Sequence, residues 1–266
     1  MILPLTSASV FSDGLDHPEC VTVHPRDGSI WAGGEAGQIY RIPAEGGSPE
    51  EVACTGGFVL GVAVHPDGQW LAACDLKNGC IWRLDLQKMQ LREFARGPRI
   101  PNHLAFTATG DLFVSDSGAF REVSGKIYRF DSAGSGGVWH PGPFNFANGV
   151  ALAPDGSALY VVCTWLPGVE RIAMHSDGKP GAREVFVRLP ATLPDGLAFD
   201  ADGALLVSCY TPARIWRVPP GGGKPEILIE DWEAHTLSNP TNIALRGREL
   251  FAANLGRWHV TRIVLP

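Results

Sequence analysis

The sequence has no C-x-x-C pair, no cluster of basic residues, no cationic leader and no apolar run long enough to span a membrane. Each absence closes off a class. Without closely paired cysteines there is no zinc-ribbon or thioredoxin-like motif. A formal net charge of −6 argues against a nucleic-acid partner, which needs concentrated Lys and Arg to meet phosphate. The opening MILPLTSASV is too short in its apolar run, and too early broken by proline, to read as a secretory leader. No membrane association is expected. The six cysteines, Cys20, Cys54, Cys74, Cys80, Cys163 and Cys209, therefore read as reduced thiols, mostly buried, in a cytoplasmic protein.

What is abundant is punctuation. The 32 glycines and 21 prolines in 266 residues imply many short elements joined by turns. Hydrophobic residues at 45% against 19% charged mark a globular chain with a large core. Six segments share one grammar, beginning at Pro18, Val59, Pro101, Ala147, Pro194 and Pro240. A short apolar run is followed by a turn, often Asp-Gly, then a second run, a variable loop, and a third strand such as IYRI, IWRL or IWRV. Asp-Gly between two such runs is a hairpin signal, because glycine takes a positive φ at little steric cost. Fourth strands such as AREVFVRL and KPEILIE fall between the segments.

Four antiparallel strands repeated every forty-odd residues describe propeller blades. The reading is all-β: one six-bladed β-propeller domain over residues 1–266, with four-stranded antiparallel blades. The chain ends after a third strand, WHVTRIVLP, and begins with the strand-like LTSASVF. That N-terminal strand can complete the last blade and hide its edge. An arginine recurs in every third strand (Arg41, Arg83, Arg129, Arg171, Arg217, Arg262), and a feature common to all copies reads as structural.

Function should break the sameness of the copies. The position just before each inner strand holds Glu19, Leu60, Asn102, Asn148, Asp195 and Thr241. In a propeller these positions form a ring at one mouth of the central channel. Two explanations fit such a ring. Polar side chains at a wet channel mouth can simply cap turns. Alternatively, Glu19 and Asp195 would repel each other without a counter-charge, and a divalent cation held by carboxylate and amide oxygens removes that conflict. The ring has no His or Cys, so a zinc site of the N/S type fits less well than a hard cation. Ca²⁺ is the first expectation, with Zn²⁺, Mg²⁺, Mn²⁺ and Fe²⁺ as alternatives.

The stretches ANGVALAPDG, PDGLAFDADG and PTNIAL, with PE near the N-terminus and PN between, resemble the senescence-marker-protein/gluconolactonase family over essentially the whole chain. That family includes regucalcin, lactonases and, more distantly, diisopropylfluorophosphatase. The resemblance implies a six-bladed propeller with a divalent metal, often calcium, on its axis. It implies Glu19, Asn148 and Asp195 as metal ligands and Asn102 as a second amide touching metal or substrate. It also implies Asp195 as general base or nucleophile. Two positions depart from the family pattern. His103 follows Asn102 where Asp is usual. Ile100 stands two residues before Asn102 where sugar-lactone members carry Arg, with Arg99 one residue earlier.

These readings combine into a divalent-metal-dependent hydrolase of a lactone or related small ester. Asp195 is expected to accept a proton from water or to attack directly, and His103 is a candidate proton relay that could equally be a turn residue. Second-to-third loops share the mouth's face and offer Glu35, Lys77, Asp116, Phe120, Arg121, Trp165, Tyr210 and Trp258. The substrate-binding expectation is Asn102, Arg99, Asp116, Phe120, Arg121, Trp165, Tyr210 and Thr241, with Ser115 to Gly125 as a lid. His235 is a weaker candidate, and His24 and His65 read as structural turn residues on the opposite face. The alternatives are a non-enzymatic binding propeller of the NHL type, or a phosphotriesterase or lyase on the same metal scaffold. The expected partner is a small-molecule substrate.

Overall fold

In the computed structural model, which describes residues 2–266, six four-stranded antiparallel sheets follow one another along the chain. The first strand is β1 (Ala8–Asp13). Blade one is β2 (Val21–Val23), β3 (Ile30–Gly33), β4 (Gln38–Ile42) and β5 (Glu50–Cys54). Blade two is β6 (Val59–Val64), β7 (Trp70–Asp75), β8 (Cys80–Asp85) and β9 (Gln90–Arg96). Blade three is β10 (Pro101–Phe106), β11 (Leu112–Asp116), β12 (Gly125–Phe130) and β13 (Gly136–Phe144). Blade four is β14 (Ala147–Leu152), β15 (Ala158–Cys163), β16 (Gly168–Met174) and β17 (Pro180–Arg188). Blade five is β18 (Leu193–Phe199), β19 (Leu205–Thr211), β20 (Arg214–Val218) and β21 (Glu226–Glu230).

The last blade uses both ends of the chain. β22 (Pro240–Arg246), β23 (Glu249–Asn254) and β24 (His259–Val264) form three strands, and β1 pairs antiparallel with β24 as the fourth. The expected six-bladed propeller with its N-terminal closing strand is the observed fold. Closure leaves no blade without its outer strand.

The apolar runs are continuous rather than alternating because the middle strands are covered on both faces. In β15, Leu159 and Val161 pack toward blade three, whereas Tyr160 and Val162 pack toward blade five. Six hydrophobic clusters fill the six gaps between neighbouring blades. The gap between the last and first blades is filled by Phe11 and Phe251 against Val21 and Ile30. The recurrent third-strand arginines are engaged on the outside of this core. Arg129 pairs with Asp111, Arg171 with Glu184, Arg217 with Asp200 and Arg262 with Glu249, while Arg83 lies over the Trp70 ring. No α-helix occurs among the described residues, and none of their helices is long and apolar enough to cross a membrane.

Candidate active site

The inner strands begin earlier than the sequence suggests: Leu60, Asn102, Asn148, Asp195 and Thr241 lie inside their strands and not just before them, and only Glu19 precedes its strand. In each of those five strands the pairing register slips at the ring position, between Val59 and Gly61, Pro101 and Leu104, Ala147 and Val150, Pro194 and Leu197, and Pro240 and Ile243. A bulge bends the strand and re-aims a side chain. Here it turns the ring residue out of the blade-to-blade alternation. The following residue then faces the next blade, where there is little room. A Cβ at Gly61 would sit 2.4 Å from Asn102 O, and one at Gly149 would sit 2.7 Å from Asp195 O.

The bulged residues Leu60, Asn102, Asn148 and Asp195, with Glu19 from the segment before its strand, line one cavity of about 290 Å³, completed by Phe58, Leu76, Ile100, Phe120 and Phe146. Larger hollows of about 550 and 760 Å³ lie at the other end of the blades, where turn residues such as Asp200 with Arg217, and Asp155 with His175, line them. Asp200 and Asp202 there are paired with Arg217, and Asp202 is 85% exposed, whereas no arginine or lysine lines the smaller cavity.

Both amides are held from outside. Ser117 Oγ donates to Ala147 O at 2.7 Å, so its oxygen is free to accept from Asn102 Nδ2 at 3.0 Å. Thr164 Oγ1 donates to Pro194 O at 2.9 Å and accepts from Asn148 Nδ2 at 3.3 Å. Each hydroxyl thus fixes which end of the amide points away from the axis, and Asn148 Oδ1 is left buried without any partner. A buried carbonyl oxygen without a donor is costly, and a cation would satisfy it.

The carboxyls point the same way. Burial pushes Asp195 up to about 7, with a hydrogen bond from Asn148 pulling in the opposite direction. Burial also raises Glu19 well above the usual carboxylate range, and the charges of Asp195 and Glu35 raise it further. Two carboxyls that resist ionising side by side, next to an orphaned amide oxygen, fit a divalent cation: it would lower both and give that oxygen a partner.

The remaining predicted residues distribute unevenly. Phe120 lines the cavity at its rim and is 61% exposed. Trp165 packs behind it, with ring centroids 5.7 Å from both Phe120 and Phe146. Arg99 and Arg121 are exposed and do not line the cavity, and Tyr210 is likewise turned outward. Asp116 is occupied by its own loop, accepting from Ile100 N at 2.9 Å and Gly118 N at 3.0 Å through Oδ1. Thr241 is buried and bonds to Ala253 O within its own sheet.

His103 occupies the slot that is glycine at 61, 149 and 196, so its ring enters the gap between blades three and four instead of the cavity. Its Nδ1 accepts from Val150 N at 3.3 Å, and burial lowers it to about 4. The slot forces a strut there. His24 sits in its turn bonded to Gly68 O, and His65 is paired with Asp67.

Sequence reasoning missed Ser117, Thr164 and most of the apolar wall. The hydroxyls were detectable: among the copies, Ser or Thr follows the second strand only where the ring residue is Asn. The wall comes largely from segments entering the inner strands (Phe58, Ile100, Phe146), not from second-to-third loops alone. A rim group was also missed. His17 Nδ1 lies 2.8 Å from Asp16 Oδ1 and 3.1 Å from Glu35 Oε2, with the Trp258 ring tilted at 57° and 4.6 Å away. Asp16 Oδ2 is taken by Ala36 N and Gln38 Nε2, so the group clasps its loops.

The class defined here is a closed six-bladed propeller with carboxyls and amides lining one cavity at an axial mouth. The chain belongs to the SMP-30/Gluconolactonase/LRE-like family, whose model matches residues 17–253. Among curated relatives, an L-arabinolactonase from Azospirillum brasilense is 27% identical over 87% of this chain and 75% of its own length. A gluconolactonase from Zymomonas mobilis is 28% identical over 61% of this chain and 51% of its own. The Drosophila melanogaster adipocyte plasma membrane-associated protein Hemomucin is 26% identical over 70% of this chain, which spans only 37% of it. Two solved structures share the fold. A Xanthomonas campestris gluconolactonase superposes with TM-score 0.82 at 20% identity, covering 97% of this chain and 89% of its own. A calcium-binding regucalcin from Agrobacterium tumefaciens superposes at 0.78 and 18%, covering 96% and 95%.

Proposed function

We propose that this chain is a divalent-metal-dependent hydrolase of a lactone or related small ester, with Glu19, Asn102, Asn148 and Asp195 holding the metal. The observation that carries the reading is the orphaned Asn148 Oδ1 beside two half-buried carboxyls in one cavity. The names of the lactonase relatives supply the reaction class, and the calcium-binding regucalcin favours Ca²⁺ among hard cations. A bound divalent ion supplies Lewis-acid polarisation of the ester carbonyl, worth several kcal/mol. Asp195 takes the proton of an attacking water at a carboxylate oxygen, or attacks the carbonyl carbon itself; in the second case the ring C–O bond breaks, the leaving alkoxide takes a proton from water, and the acyl-aspartyl mixed anhydride is then hydrolysed by a second water, which restores the Asp195 carboxylate. Glu19 balances charge, and the apolar wall excludes bulk water. The six free cysteines support a reducing, cytoplasmic setting.

The test is thermal melting after EDTA treatment and after Ca²⁺ addition, beside lactone hydrolysis followed by proton release. Ca²⁺ should raise the melting temperature, because an ion that binds only the folded state stabilises it. Asp195→Asn should keep the fold and lose turnover. No shift with any divalent ion, together with turnover retained in Asp195→Asn, would sink the proposal.

A further inference from the structure

The cavity mixes two kinds of lining. Its oxygen donors come from blades one, three, four and five, and Phe58, Leu60, Leu76, Ile100, Phe120 and Phe146, from blades two to four, supply an apolar arc between and around the two amides. No Lys, Arg, Ser, Thr or Tyr lines the cavity. Asn102 directs an amide hydrogen to Ser117, and Asn148 directs its own to Thr164 and Asp195; Arg99 and Arg121 lie outside, with Arg121 5.4 Å from the outer Phe120 ring centre.

The arc is held in place deliberately by its surroundings. Phe120, Phe146 and Trp165 meet edge-to-face or tilted at 5.7 to 6.0 Å. Phe146 adopts a left-handed backbone with φ 61. The corresponding residues two before the ring position in blades one and six are His17 and Asn239, with φ 40 and 51. Asn and His tolerate that region, whereas a bulky aromatic is disfavoured there. Blade four places a phenylalanine at this conformation, and its ring forms cavity wall.

We infer that the substrate is a lactone or ester bearing an alkyl or aryl group, and not a polyhydroxylated sugar lactone. This rests on the hydrolase reading of the same site. Sugar hydroxyls entering this cavity would lose water and meet carbon along the arc. An alkyl or aryl substituent would instead cover the arc, and apolar pockets of this kind discriminate by about tenfold or more per methylene.

The experiment uses the Ca²⁺-loaded full chain and two probes of one ring size, δ-nonanolactone and D-glucono-δ-lactone, with the matching non-hydrolysable lactams for calorimetry. The alkyl lactone should show kcat/KM at least about tenfold higher, and only the alkyl lactam should bind measurably. Phe146→Ala should raise KM for the alkyl lactone about tenfold with a smaller change in kcat. Preference for the sugar lactone, in turnover and in lactam binding, overturns the inference and leaves the hydrolase reading standing. Binding of the alkyl lactam alone without hydrolysis of either lactone upholds the apolar site and removes the hydrolase reading. If neither lactam binds and neither lactone turns over, both fall.

Discussion

Asn148 donates its side-chain amide to Thr164 Oγ1 at 3.3 Å, while Thr164 gives its only proton to Pro194 O at 2.9 Å. This pair decides which end of Asn148 meets the axis. Thr164→Val keeps the shape and removes both bonds, so Asn148 loses its reason to present oxygen. Ca²⁺ affinity should fall about 10–100-fold, as is usual when a partner behind a metal ligand is lost. Thr164→Ser should restore it. Titration calorimetry on the three proteins checks this, and an unchanged affinity in Thr164→Val would remove Asn148 from the ligand set.

The metal-free protein should lose stability as pH rises. Asp195 is pushed up to about 7 and Glu19 is raised well above its ordinary value, both first through burial. Between an unfolded carboxyl value of about 4 and about 7, the folded state holds protons that the unfolded state releases. Stability from this source is complete below the unfolded value and drains away up to about pH 7, on the order of a few kcal/mol. Ca²⁺ holds the carboxyls ionised in the folded state and should flatten the slope. Melting curves across this range with EDTA and with Ca²⁺ give the answer. A metal-free slope of zero would mean the two carboxyls are not forced together.

Much of this was readable from the chain because propeller blades repeat and repetition makes exceptions visible. Asp-Gly turns, third-strand arginines and the inner-strand starts set the blades in register, and Glu19, Asn102, Asn148 and Asp195 stood out as non-identical residues in identical slots. Their convergence followed from ring geometry. What stayed hidden was direction. A one-residue bulge decides whether Asn102 or His103 faces the axis, and no side-chain period records a bulge. The apolar wall was hidden for a related reason: Phe58, Ile100 and Phe146 lie in connections, where alternation says nothing about which way a ring points.

His103 provides a direct test of that direction. Its ring is buried, accepts from Val150 N and is lowered to about 4, so it stays neutral over about pH 5–8, where an ordinary histidine would titrate. His103→Gln should therefore leave the shape of the kcat–pH profile unchanged while lowering the melting temperature. His103→Ala should cost about 1–3 kcal/mol through the orphaned Val150 amide and the vacated space. Loss of one limb of the pH profile in His103→Gln would return it to the chemistry as a relay.

Gly149 tests whether the blade-to-blade spacing itself holds the centre together. It follows Asn148, and a Cβ there would lie 2.7 Å from Asp195 O and 2.8 Å from Gly196 Cα. Both are backbone atoms, so neither can rotate away as a side chain would. Gly149→Ala must separate blades four and five at the point where Asn148 and Asp195 meet. Overpacking of this kind costs about 1–3 kcal/mol. The displacement falls on two proposed ligands at once, so Ca²⁺ affinity and turnover should drop together, more steeply than stability alone would explain. Gly156→Ala, in an exposed turn on the opposite face with φ 71 and nothing within 4 Å, is the control. It should lower the melting temperature through backbone strain without touching Ca²⁺ binding. Equal losses of affinity in both variants would show that the ring transmits damage generally, and would detach the centre from this one contact.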